Sequence, residues 1–250
     1  MPNRRRLSAF PGRVHLVLKC DSMALTHFVL IPNRPEREAL IADLLAATRD
    51  YDGLQIDLEL IPPQDAGNFL SFLAELRAGL GNKMFTIAVY ARTRRQADDP
   101  YDYEKIAPLV DRIFVMAYDE HWSRSDPGSI ASLAWCRRVA IHALNVIGRE
   151  KLVMGIPFYG RAWASRNHAQ AYIYSTIERL INDYNVTIRR ENGIPTFNYN
   201  ATISVTVYYE DAYSLSTRME MYRTMGVRAI GFWRLGQETL AVWRLLRLGN

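Results

Sequence analysis

The feature that most narrows the fold is an alternation of short apolar runs with amphipathic stretches. Six runs read as strands: Val14–Leu18, Gly53–Glu59, Phe85–Tyr90, Ile113–Tyr118, Leu152–Ile156 and Val227–Trp233. After Pro35 a helix carries Leu40, Ile41, Leu44 and Leu45 on one side. Pro62-Pro63 stops the second strand, and Asp65 is placed to cap a helix whose Phe69, Phe72, Leu73, Leu76 and Leu80 form a stripe ending at Gly81. Ser129 opens a further helix running towards Gly148. This is the sequence form of repeated βα units, and hence of an α/β fold with a parallel sheet or barrel. Before the last strand, Ala171–Tyr184 reads as a helix and Val186–Arg189, Thr196–Tyr199 and Ile203–Tyr209 as short β segments. That predicts a small α+β insertion over 162–226 within a single domain of 1–250.

With 250 residues and 49% apolar content the chain supports one large core better than two small ones. Its formal charge of +5 comes from 31 basic and 26 acidic residues, and the basic ones are scattered apart from Arg4-Arg5-Arg6, Arg94-Arg95 and Arg189-Arg190. Scattered arginine fits a solvated surface, so no nucleic-acid partner is expected. Cys20 and Cys136 have no metal or redox spacing and read as core residues. No apolar run approaches the roughly 18 residues that span a bilayer. The opening MPNRRRLSAFPG precedes no secretory apolar segment, so as written the chain reads as cytoplasmic.

The stretch YDGLQIDLEL, from Tyr51 to Leu60, puts acids into a strand. Leu54, Ile56 and Leu58 take one face; Gln55, Asp57 and Glu59 take the other. Three readings are open. The acids could face water at a strand end. They could bind a metal, although no histidine or further acid is spaced to complete an oxygen-rich shell, and no metal or cofactor is expected. In the third, Glu59 stands at the carboxyl end of a parallel strand, where barrel enzymes keep their catalytic groups. Asp57, one pleat below, then tunes it, because neighbouring carboxylates disfavour double ionisation.

At this point the sequence resembles glycoside hydrolase family 18, the chitinases and their relatives. Asp52, Asp57 and Glu59 match the family signature Asp-x-x-Asp-x-Asp-x-Glu, with Gln55 where the family usually has Asp. FVMAYDEH, MGIPFYGRAW and GFWRLGQE agree with three later family strands in the right order. The resemblance implies a TIM-type (β/α)8 barrel. It also implies retaining hydrolysis in which the substrate's own acetamide oxygen is the nucleophile, an exception to the two-carboxylate scheme. Carried over, Glu59 is the acid/base, Asp57 and Tyr118 hold the acetamide, and Asp119 lines the pocket with Gln55 and Met116. Trp233 becomes the aromatic floor under the sugar. Tyr159 and Arg161 match the same pattern as candidate ligands. Plainer readings stand beside these: Tyr118, Tyr159 and Trp233 as packing, Asp119 as a turn cap, Arg161 as a surface ion-pair partner.

The family barrel has eight strands and six are found, with GRVHLVL aligning to the third. The expectation is therefore a barrel lacking its first two βα units, through a late start codon, a fragment or completion by an oligomer. A missing upstream part could carry an export signal, which would move the protein to the cell envelope or outside. The short insertion and the closing FWRLGQE bring the resemblance nearest to the bacterial cell-wall and spore-cortex branch. The implied partner is an N-acetylglucosamine-containing polysaccharide or oligosaccharide, chitin-like or peptidoglycan, with oligomeric state open. A non-hydrolytic glycan-binding relative and an inert truncated product are the alternatives; Glu59 speaks against the first.

Overall fold

A computed structural model describes residues 11–165, 168–201 and 203–245; the basic run Arg4-Arg5-Arg6 lies outside them. The elements run β1 (His15–Cys20), α1 (Met23–Leu30), α2 (Pro35–Thr48), β2 (Gly53–Leu58), α3 (Ala66–Leu80), β3 (Met84–Tyr90), α4 (Tyr103–Ile106), β4 (Arg112–Met116) and α5 (Leu133–Val146). They continue through β5 (Leu152–Pro157), β6 (Tyr159–Ser165), β7 (His168–Ile173), α6 (Tyr174–Asp183), β8 (Arg189–Glu191), β9 (Ile194–Asn200), β10 (Ser204–Tyr208), α7 (Ala212–Thr224), β11 (Ala229–Trp233) and α8 (Leu240–Leu245). The six expected strands form a parallel sheet in the order β1-β2-β3-β4-β5-β11, a TIM-type α/β arrangement. Two compact units divide the chain. The first runs to Tyr90 and adds Arg94–Val115 and Asn145–Leu152; the second holds Ala91–Thr93, Met116–Leu144 and the chain from Val153.

In the first unit β2 and β3 are buried almost throughout, as strands covered on both faces must be. β1, an outer strand of the sheet, leaves Val17 exposed. Gly53 opens β2 against Met84 so closely that a side chain there would collide with the Met84 backbone. The predicted stripe of α3 is its buried face, and Gly81 follows at φ 54°. Buried Arg37 of α2 ties three helices together, donating to the Leu30 carbonyl, to Ser71 Oγ at 2.8 Å and to Glu75 Oε1 at 2.5 Å.

Several local expectations are corrected. Helix α1 was not anticipated, because exposed Met23 and Leu25 break any amphipathic pattern; Ser22 caps it by accepting from the Leu25 amide. Asp65 holds the N-cap position of α3 without capping a backbone amide. Its carboxylate instead meets His27 Nδ1 at 2.7 Å and accepts from Asn68 Nδ2 at 3.1 Å. α5 begins at Leu133, with Ser132 Oγ accepting from the Trp135 amide, while Ser129 offers its carbonyl to His121. β4 ends at Met116, leaving Tyr118 just beyond the strand.

In the second unit β6 to β10 form an antiparallel sheet in the order β7-β6-β10-β9-β8. Ala171–Ile173, expected as helix, belong to β7: Tyr172 pairs with Gly160 and Ala171 with Arg161, so a ladder overrides the helical reading. The β segment expected at Val186 starts instead at Arg189. The turn fixes this register, since Asn192 and Gly193 both have positive φ, as a two-residue hairpin with Asn-Gly prefers. Ala162, Ile177, Phe197, Val205, Val207 and Tyr209 make its core. Nearby, Asp211 and Ser214 cap α7 reciprocally.

Arg218 of α7 and Glu210 form a fully buried ion pair, with Nη1 and Nη2 donating to the two carboxylate oxygens at 2.9 and 2.8 Å. Ser214 Oγ donates to Glu210 at 2.7 Å, and Arg218 also reaches the Ala131 carbonyl. Removing one partner of such a pair strands the other's charge. Arg218→Ala should lower unfolding stability by about 3–5 kcal/mol, read from the urea midpoint, whereas Arg218→Met with Glu210→Leu should recover most of the loss.

Candidate active site

The first unit presents a charged cluster at the carboxyl end of β2. Alternation puts Gln55 and Asp57 on one face of β2, which ends at Leu58 and not at Glu59 as the sequence suggests, so Glu59 stands one residue beyond the strand. The backbone at the strand end is held on several sides. The Glu59 amide donates to the Cys20 carbonyl at 2.7 Å, and Thr26 Oγ1 donates to the Glu59 carbonyl at 3.4 Å. Tyr101 Oη donates to the Leu58 carbonyl at 2.9 Å and accepts from the Ile61 amide at 3.2 Å. Leu60 turns the chain there at φ 58°, a left-handed conformation that a residue with a branched side chain adopts at a cost of about 1–2 kcal/mol.

Asp57 is 5% exposed. Its Oδ2 lies 3.6 Å from Lys19 Nζ, and its Oδ1 is buried with no hydrogen-bond partner. Burial raises its pKa above the ordinary 3.8 and the Glu59 charge adds to the rise, while Lys19 opposes it. Glu59 is half-buried: Lys19 Nζ donates to its Oε1, and Tyr90 Oη donates to its Oε2 at 3.4 Å. Burial and the Glu59 charge push Tyr90 up to about 12, so it stays a neutral donor. Gln55 turns away to β3, where its Oε1 accepts from Thr86 Oγ1 at 3.1 Å. Asp52, the first acid of the motif, accepts from the Val14 amide at 2.8 Å before β2 begins.

The second unit gathers the later motifs. Met116 and Tyr118 alternate with buried Val115 and Ala117, and Asp119 follows at φ 58°. Oδ1 of Asp119 collects three donors: Tyr159 Oη at 2.6 Å, Arg161 Nε at 3.1 Å and Arg161 Nη2 at 2.9 Å. The Tyr118 and Tyr159 rings meet edge to face at 6.3 Å. Burial, followed by the Asp119 charge, pushes the Tyr159 phenol well above its usual value. Trp233 ends β11 with 37% of its surface exposed, so the plain core reading does not hold for it. Its carbonyl accepts from the Phe158 amide at 2.7 Å, and the peptide bond it forms with Arg234 is cis. His121 packs on Gly128, and Trp122 is exposed.

Lys19 and Tyr90 were missed from sequence. A lysine in the apolar run HLVLKC was a weak signal, but its partner depends on the register that sets Lys19 opposite Asp57.

The chain belongs to the glycosyl hydrolases family 18, whose model matches residues 26–238. YdhD of Bacillus subtilis (strain 168), named as a sporulation-specific glycosylase, is 31% identical over 93% of this chain and 58% of its own length. The solved YdhD structure superposes with a TM-score of 0.84 at 28% identity, covering 94% of this chain and 83% of that one. The glycosylase YvbX of the same organism is 28% identical over 82% of this chain. A chitinase from Chromobacterium violaceum ATCC 12472 shares the fold, with a TM-score of 0.87 at 23% identity over 96% of this chain and 81% of its own. The chain spans 63% of the length of YvbX and 58% of that of YdhD.

A raised carboxyl pKa in the fold means the folded state binds that proton more tightly than the unfolded chain does. Its stabilisation is present below the unfolded value of about 3.8 and is lost as pH rises through the folded value. Asp57→Asn, which cannot ionise, should therefore raise the melting temperature more as pH rises through the folded-state value, where the wild type comes to carry a buried anion. It should change it little at about pH 3, where both side chains are neutral. Differential scanning calorimetry as a function of pH checks this.

Proposed function

We propose that this protein hydrolyses β-1,4 linkages in N-acetylglucosamine-containing glycans, chitin oligomers or peptidoglycan, with retention and with assistance from the substrate's acetamide. The observation that carries the reading is the Asp57–Glu59 pair at the carboxyl end of a parallel strand in a family 18 chain. The glycosylase and chitinase names of the similar proteins point the same way.

In this reading Glu59 gives its proton to the leaving glycosidic oxygen while the acetamide oxygen attacks the anomeric carbon and the glycosidic bond breaks. Asp57 accepts a hydrogen bond from the acetamide N–H and faces the positive charge of the oxazolinium ion, a preorganised electrostatic stabilisation. Glu59, now a carboxylate, takes a proton from water as the water oxygen adds to the anomeric carbon and the acetamide re-forms. Tyr118 donates to the acetamide oxygen. Asp119, held by Tyr159 and Arg161, takes sugar hydroxyls, and the exposed Trp233 face stacks under the ring. Met116 and Gln55 are further candidate substrate residues by their match to the family motifs.

Glu59→Gln keeps the shape and removes the transferable proton, so kcat on a chromogenic N-acetylglucosamine oligomer should fall about 10²–10⁴-fold. Equal rates would remove Glu59 from the mechanism. Glucose oligomers, which lack the acetamide, should not be cleaved, and a thiazoline mimic of the oxazolinium ion should inhibit competitively. Efficient cleavage of plain glucan would refute acetamide participation while leaving hydrolysis itself standing.

A further inference from the structure

The described residues place a cation inside the acid pair that the family signature does not include. Lys19 rises from β1 at the level of Asp57, its register partner across the ladder. Its ammonium donates to Glu59 Oε1 and lies 3.6 Å from Asp57 Oδ2. Its side chain is 42% exposed, so water is available to it, yet it folds inward over two carboxylates. We propose that Lys19 is a positioning residue of the hydrolytic site: its ammonium keeps Asp57 anionic within the sheet and holds the Glu59 carboxyl at the strand end beside it. The inference rests on the proposed roles of Asp57 and Glu59.

The surroundings of Asp57 give the reason. Its Oδ1 is buried without a hydrogen-bond partner, so no donor there stabilises the anion. Glu59 on the same strand end opposes ionisation, as burial does. Tyr90 of β3 is a neutral donor aimed at Glu59, and Gln55 is engaged with Thr86. Asp21, just past β1, acts on Lys19. Lys19 is thus the group among the described residues that favours the Asp57 anion. Burial alone would lower the Lys19 pKa, but its hydrogen bond to Glu59 and the charges of Asp57, Glu59 and Asp21 outweigh this and raise it. The cation therefore persists wherever the site would work. Asp57 needs its charge to accept the acetamide N–H and to face the oxazolinium ion, so a residue that touches no substrate would set the acid side of the activity profile.

The test compares wild type, Lys19→Met and Lys19→Arg by two measurements. Carbon-13 carboxyl NMR of the free protein follows the Asp57 titration, and kcat/KM on the chromogenic oligomer is recorded against pH. Lys19→Met should move the Asp57 titration and the acid limb together to higher pH by about one unit, a roughly tenfold loss of the ionised form on the acid side. Lys19→Arg, which keeps the charge, should bring both back. An Asp57 titration unchanged in Lys19→Met, or not restored by Lys19→Arg, overturns the proposal. If the wild type cleaves nothing, the hydrolase reading fails, and the NMR titration still decides whether Lys19 sets the charge of Asp57.

Discussion

An ionised carboxyl group taken from water into a protein interior loses several kcal/mol of solvation, and Asp57 is such a group on a strand covered on both faces. Much of the structure around β2 can be understood as an answer to that loss. The register of β1 brings an ammonium alongside. The backbone at the strand end is pinned by Cys20, Thr26 and Tyr101, which fixes where the Glu59 side chain leaves the chain. Leu60 accepts an unfavourable dihedral to turn the chain directly after Glu59. Charge, register and strain converge within a few residues, which is the usual mark of a region shaped by chemistry more than by stability.

The Arg218–Glu210 pair makes the contrast. It is equally hidden from water, but both oxygens of Glu210 have donors and the guanidinium also meets a carbonyl. Such an arrangement fixes α7 against the segment around Ala131. In that pair the unpartnered buried atom is Arg218 Nε, on the cation, whereas Asp57 keeps a carboxylate oxygen without a partner. An unsatisfied buried oxygen is a poor way to stabilise a fold and a natural way to leave room for an incoming donor.

What could be read from sequence was whatever local periodicity encodes. The two-residue period of GLQIDL gave the face shared by Gln55 and Asp57, and the spacing from Phe69 to Leu80 gave the buried stripe of α3. Periodicity failed where tertiary contacts decide. α1 exposes apolar residues and so carried no amphipathic signal. Ala171–Ile173 pair with β6 despite a helix-compatible composition. Lys19 gave only a weak signal as a site residue because its partners lie on and just beyond another strand, and which residues face each other across a parallel ladder is not written in either strand alone. The junction of Asp119 with Tyr159 and Arg161 was legible only as residues of two separate motif matches; the shared oxygen that joins them is a property of the folded chain.

That junction bears on how such chains can change over evolutionary time. Tyr159 and Arg161 lie on β6, the strand that leads from the end of β5 into the antiparallel sheet, and both reach back to Asp119. The antiparallel sheet is consequently tied through β6 to the loop bearing Asp119. A recombination event exchanging it for the corresponding segment of a relative would have to import a compatible tyrosine and arginine, or leave the carboxylate of Asp119 without its anchors. The crossover points that preserve a working chain are thereby displaced beyond Arg161, and the sheet and the loop bearing Asp119 are constrained to diverge in concert.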